Sequence, residues 1–210
     1  MEIYSTEEQQ VEAIKSIWSK YGNAMIGGVV IGLAGIYGWN WYQDDVKATQ
    51  EAQSLAYQQA VEGISAQSSD KVESFISAES DSGYATLAAL KLAKSFVEAG
   101  ELNKASEQLN WVVANNKDAA IKDLATYRLA RIEFSSGSAE KALQAVAKPE
   151  SEAFISQFAE LRGDIYLSQG DNEKARNEYQ TAADNDGLAG NPGLKMKLDN
   201  LAEDNGAVAL

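Results

Sequence analysis

Three observations in the amino-acid sequence predict an all-α protein. From residue 43 onward apolar residues recur at helical spacing in an alanine-rich background, with few β-branched runs. The 210 residues hold only two prolines, Pro149 and Pro192, and glycines fall where helices should end, at Gly63, Gly83, Gly100, Gly137, Gly170 and Gly187. Residues 24–42, AMIGGVVIGLAGIYGWNWY, form an uncharged apolar run in an otherwise acidic chain, so one helix is set apart from the rest. At 45% hydrophobic residues the chain has ample material for a packed core.

The first element is an N-terminal arm over residues 1–21. In STEEQQVEAIKSIWSKYG, Ser5 precedes Glu8 and Thr6 precedes Gln9 by three residues, and either pair can form a capping box. Val11, Ile14, Trp18 and Tyr21 then share one face, which predicts a short amphipathic helix lying at a membrane interface or against a partner.

The second element is a membrane span over residues 22–43. No charge falls between Lys20 and Asp44, and at about 1.5 Å per residue the quoted run covers roughly 29 Å, close to the hydrocarbon thickness of a bilayer. Trp18 and Tyr21 lie at one end and Trp39, Trp41 and Tyr42 at the other, where amphipathic rings suit the headgroup region. A cleavable export signal would need a basic start and a small-residue cleavage site. Here residues 1–20 carry four glutamates against two lysines, and the run ends in bulky aromatics, so a retained anchor is expected. Lys15 and Lys20 before the span outnumber Lys47 after it, which favours a cytoplasmic N-terminus. Gly28, Gly32 and Gly35 share a helix face; they are either a helix-packing stripe or the ordinary glycine content of membrane helices.

Residues 44–203 are expected to form a helical-repeat domain. LAALKLAKSFVEAGELNKASEQLNWVV around Gly100 aligns with FAELRGDIYLSQGDNEKARNEYQTAA around Gly170. This places Ala93 on Gly163, Phe96 on Tyr166, Ala105 on Ala175 and Leu109 on Tyr179. Small, aromatic, glycine, small, large is the tetratricopeptide pattern, because paired antiparallel helices need small residues where they cross and large ones between repeats. A third copy around Gly137 keeps Ala130 and Ala142, shifts its aromatic to Phe134 and is shortened by Pro149. The turn glycines are 37 and 33 residues apart, bracketing the ~34-residue period of the motif. An α-solenoid is therefore expected.

Two further helices are expected upstream, over residues 43–63 with Leu55, Ala56 and Tyr57, and over residues 70–80. Downstream, Asn191 and Pro192 mark a helix start, and Leu194, Leu198 and Leu201 give it the apolar face of a terminal cap. Residues 204–210 are expected to be a flexible tail.

Chemistry is sparse. With no cysteine and no histidine, disulfides, thiol catalysis, Cys or His zinc sites and imidazole-based triads are excluded. A net charge of −13 argues against nucleic acid as partner. Arg162, Gly163 and Asp164 spell an adhesion-like tripeptide, but Gly163 holds a packing position of a repeat. Residues 184–195 fail as a calcium loop because Leu188, Ala189 and Lys195 stand where an oxygen ligand, glycine and glutamate are required. Arg128 and Arg131, one turn apart with Asp123 and Glu133 nearby, can hold a ligand carboxylate or form ion pairs within the domain. No phosphate loop or nucleophile elbow is present, so no catalytic, cofactor or metal residue is assigned and a binding protein is expected rather than an enzyme.

MEIY at the start, QVEAIK at 10–15, the glycine-rich span ending GWNWY, SLAYQQAV at 54–61, YATLAALKLAKSFVE at 84–98, ELRGD at 160–164 and MKLDNL at 196–201 together resemble the ancillary SecYEG translocon subunits, the YfgM family, over nearly the full length. The resemblance implies a single-pass bacterial inner-membrane protein with a periplasmic repeat domain. It implies association with the SecYEG translocon and with a membrane-anchored periplasmic chaperone of the peptidyl-prolyl isomerase type, handing emerging polypeptides to periplasmic chaperones. It implies no catalytic residues. The alternative left open is a membrane-anchored envelope scaffold holding a signalling or cell-division protein.

Overall fold

The computed structural model describes the backbone of residues 7–206 and, Ala13 apart, the side chains from Gln10 to Leu201. The capping boxes at Ser5 or Thr6 lie outside the described residues. Every regular element among those residues is helical. They form two compact units, one ending at Ala52 and one beginning at Gln53.

Helix α1 runs without interruption over Glu7–Val61. The expected arm at 1–21 is therefore not a separate helix as far as it is described. Gly22 does not break it, since one glycine inside a helix costs only about 1 kcal/mol relative to alanine. Within the first unit the apolar side chains point outward all round, with Ile31 75% and Trp41 74% exposed. Among the described residues this is the one helix long and apolar enough to cross a membrane.

The second unit is a chain of antiparallel helices. Its elements are the end of α1, α2 (Asp70–Ala78), α3 (Gly83–Glu98), α4 (Leu102–Asn115), α5 (Ala119–Ser135), α6 (Ala139–Ala145), α7 (Ile155–Ser168), α8 (Asn172–Ala182) and α9 (Pro192–Gly206). Each packs mainly on its sequence neighbours, as a solenoid does: α3 on α4, α4 on α5, α5 on α6, α7 on α8. The core is correspondingly layered. The first layer holds Val72, Leu92, Phe96, Leu109 and Val112, the second Ala130, Ala142, Val146, Phe158 and Ile165, and the third Ala175, Tyr179, Leu194 and Leu201. Tyr57 of α1 closes the first layer, with ring centroids 6.2 Å from Phe75 and 5.6 Å from Tyr84.

The three α-hairpins turn in one way. At Gly100, Gly137 and Gly170 φ is +76°, +81° and +78°, the left-handed region that favours glycine. In each, the amide after the glycine donates five residues back, Glu101 to Phe96, Ser138 to Glu133 and Asp171 to Tyr166, at 2.8–3.0 Å. The glycine amide itself donates three residues back, which is the paired hydrogen-bond pattern of a Schellman helix end. The degenerate middle copy thus keeps the same turn, and Val146 fills the position that Leu109 and Tyr179 hold in its neighbours; all three are essentially fully buried.

Gly83 departs from the sequence expectation. It opens α3 instead of ending a helix, because Ser82 before it is an N-cap whose Oγ accepts from the Tyr84 amide at 3.1 Å. The expected tail is helical as far as Gly206, and residues 207–210 lie outside the described residues.

Candidate functional site

The alignment positions are the frame on which any binding surface must stand. Ala93, Phe96, Ala105, Ala130, Ala142, Ala175 and Tyr179 are all buried, and Gly163 is buried against the Tyr179 ring. Tyr166 is half-buried, with the Lys174 ammonium 5.3 Å from its ring centroid. Gly28, Gly32 and Gly35 have nothing within reach of an added Cβ among the described residues.

The adhesion-like tripeptide is committed to packing. The Arg162 guanidinium donates to the Val146 carbonyl at 2.6 Å and pairs with Glu178 at 2.7 Å, tying the second repeat to the third. Asp164 accepts from the Tyr179 hydroxyl at 2.7 Å and pairs with Lys197 at 2.6 Å. Lys197 also reaches Glu160 at 2.8 Å, and Asn191 donates to the second Glu160 oxygen at 2.8 Å. Burial pulls the Lys197 ammonium toward a lower pKa, but its hydrogen bonds to Asp164 and Glu160 and their charges outweigh this and hold it above its ordinary value. Burial, then the bond to Asp164, pushes the Tyr179 phenol far up. The network fastens α9 onto α7 and α8.

Asp123 does not pair with Arg128 or Arg131. It is 3% exposed, and its two carboxylate oxygens accept from the backbone amides of Glu150 and Ser151 at 3.1 and 2.7 Å. It clamps the loop after α6, which ends at Ala145, four residues before Pro149.

Arg128 and Arg131 instead stand at the rim of a cleft of about 410 Å³, lined by the end of α3, by α4 and by α5. Helices α3 and α5 each pack on α4 and make little contact with one another, which leaves the gap. Ala93, Val97, Leu102, Leu109 and Ile132 supply its apolar lining, and Lys94, Arg128 and Arg131 its charge. Its volume falls in the range of ligand-binding clefts. Neither arginine forms an ion pair among the described residues; Arg131 lies over the Tyr127 ring at 5.8 Å, and Lys94 makes an exposed contact with Glu98 at 3.6 Å. The sequence pointed to the two arginines. It gave no sign of the floor, which is assembled from three helices.

A family model described as a tetratricopeptide repeat-like domain matches residues 15–203. The ancillary SecYEG translocon subunit of Escherichia coli (strain K12) is 34% identical over 206 residues, covering 96% of this chain and 100% of that protein. The chain belongs to the family of ancillary SecYEG translocon subunits. Members from Haemophilus influenzae and Aggregatibacter actinomycetemcomitans are 29% and 31% identical, each match covering 93% of this chain and 97% of the relative. No solved structure matches the chain. Because the match to the translocon-subunit family is end to end, it takes in both the apolar part of α1 and the repeats.

Proposed function

We propose that this protein is a non-enzymatic, single-pass membrane-anchored module beside the protein-export channel, with its N-terminus in the cytoplasm and its repeats in the periplasm. The observation that carries the reading is the full-length kinship with proteins named as ancillary SecYEG translocon subunits, in a chain that joins one membrane-length apolar helix to a helical-repeat unit. Helical repeats present extended surfaces that bind other proteins. Anchoring a weak binder beside the channel exit raises its effective concentration there without new contacts. In this role the repeats contact the translocon and a membrane-anchored chaperone of the peptidyl-prolyl isomerase type, and pass emerging polypeptides onward. Gly28, Gly32 and Gly35 would let the anchor approach a neighbouring membrane helix closely.

Photocrosslinkers placed on exposed positions of the repeat unit in intact membranes test the reading. It expects adducts with translocon subunits and with exported chains in transit. Adducts with neither, or with a signalling or cell-division protein alone, would overturn it.

A further inference from the structure

The cleft between α3, α4 and α5 is anomalous in charge. The chain carries 31 acidic residues against 18 basic ones, yet no acidic side chain lines this cleft and three basic ones do. Arg128 and Arg131 are exposed and one turn apart on α5, and neither forms an ion pair among the described residues, whereas Lys94 already faces Glu98 at 3.6 Å, so the two arginines carry the cleft's uncompensated charge. Lys91, also exposed, continues the basic edge one turn before Lys94 on α3. Between these edges the lining is aliphatic, and Val97 remains 43% exposed although it sits beside the buried Leu109.

Two guanidinium groups over an apolar floor fit one ligand chemistry, a carboxylate next to an aliphatic side chain. The arginines offer forked donors to the carboxylate oxygens, and the floor takes the aliphatic group out of water. We propose that this cleft binds acidic-aliphatic peptide segments of partner proteins, of the form Asp/Glu-Leu-Asp/Glu. The inference rests on the protein-binding role given above and assigns the surface and the peptide chemistry that serve it. An acidic protein would repel such segments over most of its surface, so the basic cleft also selects where they land.

The test titrates the full-length protein in detergent micelles with three fluorescein-labelled decapeptides, read by anisotropy. GSDLEDLEGS carries both features, GSNLQNLQGS lacks the carboxylates and GSDSEDSEGS lacks the aliphatic groups. Saturable binding of the first, weakened by salt and at least roughly tenfold tighter than either control, is expected. The double variant R128A/R131A, whose altered side chains are exposed, should keep the helical circular dichroism of the parent and lose roughly tenfold or more in affinity. Val97→Glu, which sets a carboxylate at the cleft, should lose binding similarly. Equal binding of all three peptides, or undiminished binding by the folded double variant, would overturn the proposal. Translocon crosslinking by the parent protein is scored separately. If it succeeds while the peptides fail, only the cleft assignment falls; if it fails as well, the role beneath falls too.

Discussion

Gly163 on α7 faces the ring of Tyr179 on α8 at a distance where a Cβ would overlap ring carbons Cδ1 and Cε1. Tyr179 is fully buried and its hydroxyl is held by Asp164, so the ring has no free rotamer to retreat into. Gly163→Ala should therefore destabilise the repeat unit by about 1–3 kcal/mol, the usual cost of overpacking, measured by urea denaturation. Adding Tyr179→Leu should make the two costs non-additive, because the clash that the first substitution creates is gone. Strict additivity would show that position 163 and the Tyr179 ring are not coupled at this crossing.

Asp123 should matter more than a polar residue on a helix ordinarily does. Asp123→Ala removes the acceptor of two backbone amides at the α6–α7 loop and leaves them without their partner, a cost of about 1–3 kcal/mol. Asp123→Asn, which keeps one carbonyl oxygen, should cost less. Hydrogen exchange should show the difference at the Glu150 and Ser151 amides first. Unchanged protection there in the alanine variant would refute the clamp.

These two residues mark what the sequence did and did not disclose. The crossing of α7 and α8 was legible because a repeat places a small residue and a large one at fixed offsets from a turn glycine, and that offset survives in the linear sequence. Val146 is not legible from the repeat pattern, since the middle copy shifts its aromatic to Phe134 and carries Pro149 just beyond its second helix. Gly83 misled because glycine alone does not tell the end of one helix from the start of the next; Ser82 beside it carried that information. Asp123 looked like half of a local ion pair, while its real partners lie 27 and 28 residues along the chain. The cleft was legible only by its two arginines, as its floor comes from helices that no local spacing relates.

The repeat unit should fold without the residues before Gln53. A chain starting at Gln53 is expected to show helical circular dichroism and one cooperative thermal transition, because all three core layers lie after that point. A chain starting at Gly63 lacks Val61 and the half-buried Tyr57, which close the first layer, and loss of that packing should cost about 1–3 kcal/mol. Equal melting temperatures for the two chains would show that the end of α1 adds nothing to that core.

The attachment of α9 should be sensitive to alkali. Lys197 in the folded chain holds its proton above its ordinary pKa of 10.5, and Tyr179 above its ordinary 10.0. For both groups the folded pKa exceeds the unfolded one, so their contribution to stability is complete below about pH 10 and is lost as pH rises through the folded values. Unfolding free energy measured in urea should therefore be insensitive to these groups from neutrality to about pH 9 and fall above it. Lys197→Met leaves Glu160 and Asp164 without their shared cation and should cost about 1–2 kcal/mol near neutrality. The gap between variant and parent should close as the parent's lysine loses its proton. Tyr179→Phe should likewise blunt the alkaline fall, because the unfolded chain then has no phenol to ionise at that position. A parent and two variants that decline in parallel above pH 10 would show that the network around Asp164 does not carry the attachment.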